Sequence, residues 1–164
     1  MSVGKINAPS TKVRWLLINE SESWISIGLS LITIISIVTT IYLVLSIKPN
    51  LVQIDQLLHY IPLIILLAFL NAFSEEIIFR YSIVSSFSII FTKETILLTS
   101  AIIFGVVHFG GTPGGFIGMG MAGILGFVLC KSVIETNGLF WAILIHWVQD
   151  ILIISSVVLG KFKT

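Results

Sequence analysis

Charge is scarce in this chain. Asp, Glu, Lys and Arg together make up 10% of its 164 residues, against about 25% in a soluble domain. Hydrophobic residues account for 56%, and mean hydropathy is +1.08. These values exclude an ordinary soluble globule and predict a small polytopic membrane protein in contact with a lipid bilayer. Basic residues are few and scattered singly, and the formal net charge is only +1, so no nucleic-acid partner is expected. The single cysteine, Cys130, excludes an internal disulfide framework and a cysteine-based zinc site. Beside Lys131 it reads as a small packing residue rather than an acylation site. A cleavable signal peptide is also absent from the pattern. Lys5, Lys12 and Arg14 precede the first apolar run, but Glu20 and Glu22 intervene. That run exceeds a signal h-region and lacks a small-residue cleavage site after it.

Long apolar runs dominate the rest. The expected fold is all-α: a polytopic bundle of about five or six membrane helices, with a catalytic pocket between those that carry motifs. Residues 1–24 read as a polar tail with Trp15 and Trp24 as interfacial anchors. The first transmembrane helix covers residues 25–47 and stops at Lys48-Pro49-Asn50. Ser26, Ser30, Thr33 and Thr40 share one of its faces, which reads as a packing seam. A loop is expected over 48–56. A helix over about 58–80 then bends into an interfacial segment reaching Phe91, with Pro62 marking a start or a kink. Lys93-Glu94 is the next break. Further crossings are expected at Thr95–Phe109, Phe116–Val133 and Leu139–Leu159, and residues 160–164 form a short basic tail. Gly114, Gly118, Ala122, Gly126 and Cys130 recur every four residues, a close-packing face of small side chains. An orientation with the N-terminus inside places Lys5, Lys12, Arg14, Lys93 and Lys131 in the cytoplasm, against Lys48, Lys161 and Lys163 outside.

Six ionisable residues interrupt the apolar runs: Glu75, Glu76, Arg80, His108, His146 and Asp150. Each charge at bilayer depth costs about 2.5–3.5 kcal/mol on insertion scales, so such residues pair with one another or do chemistry. Glu76 and Arg80 are four apart with the acid first, the favourable order for a helical pair. That pair reads as structural and leaves Glu75 free to react. His146 and Asp150 are also four apart and share a helix face. A carboxylate stripped of water is a general base suited to neutral pH, a role that fits Glu75. His108 is placed to hold the same water. His146 is a candidate oxyanion donor, with Asp150 orienting it or fixing its tautomer. Two histidines and a carboxylate (Glu75, His108 and His146) are equally a zinc-type ligand set, although no HExxH helix is present. A metal-free mechanism with no cofactor is favoured, and zinc is the rival.

Taken together and in order, Glu75-Glu76-x-x-x-Arg80, Phe104-x-x-x-His108 and His146-x-x-x-Asp150 resemble the signature of the CPBP family of intramembrane proteases. That family includes the CAAX endopeptidases and bacterial homologues linked to bacteriocin processing or self-immunity. The third motif ends in Asp, where the eukaryotic CAAX enzymes have Asn. The resemblance implies a protease core over residues 57–159. It gives Glu75 and His108 to water activation and His146 and Asp150 to the oxyanion site. Glu76, Arg80 and Phe104 would support the cavity. It further implies a multi-pass protein of the cell membrane acting on a peptide precursor or a membrane-associated protein. Two competing readings are a non-catalytic immunity or scaffold protein that binds a membrane partner, and a proton pathway built from the same Glu, His and Asp residues.

Overall fold

Ser23 starts the first long helix by accepting a hydrogen bond from the Ile25 N–H at 3.2 Å, the usual work of an N-cap serine. Helix α1 runs from Trp24 to Ile47, about 36 Å at 1.5 Å per residue, enough to cross a hydrocarbon core of about 30 Å. It belongs to a computed structural model that describes residues 3–161. Residues 162–164 of the expected basic tail lie outside the described residues. Helices α2 (Leu51–Leu58), α3 (Ile61–Glu75), α4 (Ser82–Phe87), α5 (Lys93–Val107), α6 (Gly115–Thr136) and α7 (Phe140–Lys161) follow, with a π-helical segment at Glu76–Tyr81 joining α3 to α4. Among the described residues five spans are long and apolar enough to cross a membrane: α1, the continuous run Ile61–Phe87, Lys93–Gly110, α6 and α7. Among the described residues there is no strand beyond two isolated bridges.

Several boundaries differ from those expected. Residues 48–56 are not a loop. Asn50 and Gln53 form a reciprocal capping box, each side chain accepting from the other's backbone N–H at 2.9 Å, and α2 grows from it. Lys93-Glu94 opens α5 instead of breaking the chain, because Thr92 caps that helix through the Thr95 N–H. Pro62 lies in the first turn of α3, where its missing N–H is harmless. The helical run that holds it ends at Phe87, short of Phe91.

The polar face of α1 is not its packing seam. Ser26, Ser30, Thr33 and Thr40 face outward, and Trp24, Ile27, Gly28, Leu31, Thr39 and Leu43 face in. Shape decides this. The Trp141 ring lies so close to Gly28 that a Cβ there would sit 2.2 Å from it. Thr33 satisfies its own hydroxyl on the Leu29 carbonyl, 2.9 Å away, and so tolerates an apolar exterior.

The small residues of α6 close on α5 as their spacing suggests. Gly126 meets Phe104 and the Ser100 carbonyl, and Gly105 of α5 meets the Met119 carbonyl. Cys130 is fully buried, in keeping with a packing role. Helix α7 is the hub, in contact with α1, α2, α3 and α6. The main apolar core gathers Trp24, Ile27, Leu31, Leu129, Trp141 and Ile145 between α1, α6 and α7.

The N-terminal segment folds beneath this core. The Lys5 N–H donates to Thr136 O at 2.7 Å, Trp141 Nε1 donates to Ile6 O at 2.9 Å, and the Trp24 N–H donates to Ala8 O at 3.0 Å. Buried Lys131 donates to the Thr11 carbonyl and hydroxyl at 2.9 and 2.7 Å and pairs with Glu135, which also accepts from Trp24 Nε1 at 2.8 Å.

Candidate active site

Three elements bring the ionisable residues together. The junction of α3 with the π segment supplies Glu75 and Glu76, the end of α5 supplies His108, and α7 supplies His146 and Asp150. Adjacent glutamates diverge around a helix by about 100°, and here they approach opposite edges of one imidazole. Glu76 Oε1 accepts from His146 Nδ1 at 2.7 Å, while Glu75 Oε2 lies 3.7 Å from His146 Nε2. Asp150 Oδ1 is 3.5 Å from that same Nε2. The short contact that orients His146 is therefore made by Glu76, and Asp150 stands at the outer edge of the ring.

Arg80 and Glu76 are both fully buried, with Arg80 Nε 3.3 Å from Glu76 Oε2. The guanidinium lies 3.9 Å above the centroid of Phe104, a cation–π contact strengthened by the absence of water. Phe104 also touches His108 and His146, at ring separations of 4.2 and 5.6 Å. One apolar ring thus packs against three polar members of the site.

The tautomer of His108 follows from its partner. Its Nδ1 lies 2.8 Å from the Phe104 carbonyl, which can only accept. Nδ1 therefore carries the proton, and Nε2 presents a lone pair 3.7 Å from Glu75 Oε2. That oxygen is buried, has no hydrogen-bond partner among the described residues and stands equally far from both histidine Nε2 atoms. The separation is too long for a direct hydrogen bond and suits a small donor held between the groups at about 2.8 Å from each. A cavity of about 70 Å³ adjoins, lined by His108, His146 and Asp150, by Phe104, and by Ile35 and Thr39 of α1. A larger hollow of about 650 Å³ at the far end of α5 has no acid or histidine in its lining, whereas the smaller one is lined by residues of the second and third motifs.

Zinc ligands converge to about 2.0–2.2 Å from a common point. Among the described residues no three His, Cys, Asp or Glu side chains are arranged to hold a metal ion.

Two amides were not anticipated. Asn71 Nδ2 lies 3.1 Å from Glu75 Oε1 and 3.0 Å from Asp150 Oδ2. Its signal was its place one helical turn before Glu75. Gln149 accepts from Thr39 Oγ1 at 2.9 Å and donates to Ser36 Oγ at 3.2 Å, tying α7 to α1 beside the site. A lone amide within an apolar helix was the available hint. The third histidine, His59, is the C-cap of α2 and is exposed.

The family model for type II CAAX prenyl endopeptidase, Rce1-like, matches residues 57–152. The chain belongs to this family. The match covers more than half of the chain and contains all six ionisable residues, while α1 and the N-terminal segment lie outside it. Membership places the chain among the proteases, and the five apolar spans make it a membrane protein. No curated protein and no solved structure matches it.

Proposed function

We propose that this protein is an intramembrane endopeptidase that hydrolyses a peptide bond of a membrane-associated peptide or protein where Glu75, His108 and His146 meet, beside the small cavity lined by the two histidines. One observation carries the reading: buried Glu75 Oε2 has no hydrogen-bond partner among the described residues and lies 3.7 Å from the Nε2 atoms of both histidines. A water there donates one proton to Glu75 and the other to the lone pair of His108 Nε2. Both acceptors raise electron density on its oxygen. As that oxygen bonds to the scissile carbonyl carbon, Glu75 takes a proton and later returns it to the leaving amine, so no charge is left behind. Carboxylates face both nitrogens of His146, surroundings suited to an imidazolium with two N–H donors. Its Nε2–H is the oxyanion donor, worth about 3 kcal/mol, and Asp150 stands beside it.

The reaction as drawn uses water, a carboxylate and imidazoles, with no metal. The family points to C-terminal CAAX peptides as the first substrates to try, and peptide precursors as the second. The test is cleavage of such peptides by the purified protein in liposomes, with and without Glu75→Gln. Loss of about 10²–10⁴-fold in rate is expected for removal of the general base, with the wild type insensitive to chelators. Glu75→Gln cleaving at the wild-type rate overturns the proposal. Activity lost with stoichiometric zinc, and restored by it, replaces the metal-free mechanism with a metal-dependent one. Wild-type protein that cleaves neither class, yet protects cells from a membrane-active peptide, selects the immunity reading.

A further inference from the structure

Asn71 stands outside the three motifs and is exposed on α3. An amide on the outer face of a membrane helix is costly unless it is used. Its Nδ2 reaches two acids on different helices, Glu75 Oε1 of α3 at 3.1 Å and Asp150 Oδ2 of α7 at 3.0 Å. An amide nitrogen has two hydrogens, one for each. Both bonds fall on the carboxylate oxygens remote from the imidazoles. The other two oxygens, Glu75 Oε2 and Asp150 Oδ1, are the ones that face His146 Nε2, and Glu75 Oε2 also faces His108. Without a donor between them, the two carboxylates would repel each other and each would rotate freely.

We infer that Asn71 is a positioning residue, a two-way amide clamp that selects which oxygen of Glu75 and of Asp150 is presented to the imidazoles. Its catalytic consequence rests on the reading of Glu75 as the base. The clamp itself does not.

Asn71→Asp keeps the shape and removes the donor, and Asn71→Leu removes all polarity. Both variants should lower the melting temperature, Asn71→Asp the more because it brings a third carboxylate against Glu75 and Asp150, so the readouts are taken on the folded fraction. With a substrate that the wild type cleaves, kcat should fall 10–100-fold in both, with KM changed less than twofold. A clamp that only ties α3 to α7 would not produce that split. Independently of turnover, Glu75 should react several-fold faster with a hydrophobic carbodiimide in both variants, read by mass spectrometry of the peptide that contains it, because it is no longer held. If carbodiimide reactivity rises while the wild type cleaves nothing, the clamp stands and the protease reading falls. Unchanged reactivity, or unchanged kcat in a protein whose wild type cleaves, overturns the inference.

Discussion

Glu76 holds a cation on one side and an imidazole on the other. Its Oε2 lies 3.3 Å from Arg80 Nε and its Oε1 accepts from His146 Nδ1 at 2.7 Å, and no water reaches it. Removing one partner of a buried ion pair leaves the other charge stranded, at a cost of about 3–5 kcal/mol, whereas replacing both by apolar groups of similar volume is often neutral. Arg80→Met should therefore unfold the protein in detergent at a markedly lower temperature. The double variant Glu76→Leu/Arg80→Met should recover only part of that loss, because buried His146 Nδ1 is left without its acceptor. It should not recover cleavage, because His146 has lost the acceptor that sets its ring. Thermal unfolding of the two variants and the wild type, followed by a cleavage assay, checks both halves. A double variant as unstable as Arg80→Met would show that the pair is not what stabilises this layer. Arg80→Lys should be intermediate, since an ammonium keeps the charge but loses the flat stack on Phe104.

At the scale of elements, α5 ends at the site, and its position is set by α6. A Cβ on Gly118 would lie 1.7 Å from the Pro113 carbonyl oxygen, which is backbone and cannot swing aside. Gly118→Ala must push the turn 108–114 outward and move His108 with it. Gly120, two residues along, has open space around its Cβ direction. The expected outcome is a loss of at least tenfold in cleavage for Gly118→Ala and no change for Gly120→Ala, with overpacking lowering the stability of the former by about 1–3 kcal/mol. Equal effects in the two would mean that the turn is not held by this contact. The four-residue recurrence of small side chains made a close-packing face of α6 legible in the sequence without naming α5 as its partner, and the motif residues named Glu75, His108, His146 and Asp150. Helix α2 was equally legible through Asn50 and Gln53, and was missed because the apolar signal there is short. The inward face of α1 was not legible. Its hydroxyls advertise a seam, but the choice was made by the fit of the Trp141 ring into the notch at Gly28, which no periodicity records. Asn71 and Gln149 escaped for a related reason: what each amide does depends on a partner on another helix, 79 and 110 residues away for Asp150 and Thr39.

In the whole molecule, the family-matched span does not close its own site. Ile35 and Thr39 of α1 line the cavity beside the proposed site, and Gln149, next to Asp150, is fastened to Ser36 and Thr39. Helix α1 is in turn held by the N-terminal segment, which the sequence presents as a polar tail. Residues 3–23 cover the end where α1 begins and where α6 turns into α7. There Lys131, for all its charge, is buried, with the Thr11 carbonyl and hydroxyl and the Glu135 carboxylate as its partners. The glycine at position 4 has a φ of +88° and lies against Gly138, where a Cβ would come within 2.7 Å of backbone. Deleting residues 1–22 leaves every motif residue in place. It strips the Ile6 carbonyl from Trp141, the Ala8 carbonyl from Trp24 and both Thr11 acceptors from Lys131. Each hydrogen bond lost with a buried group left behind costs about 1–3 kcal/mol. Water entering this end will partly repay Lys131 but not the Trp141 indole N–H or the Trp24 backbone N–H. The truncated protein should melt lower in detergent and lose activity in parallel with folding, and Gly4→Val in the full chain should shift both in the same direction by a smaller amount. A truncated chain that melts and cleaves as the full chain does would show that the segment merely rests on the bundle. Stability lost with kcat intact in the surviving folded fraction would show that α1 holds the cavity wall unaided.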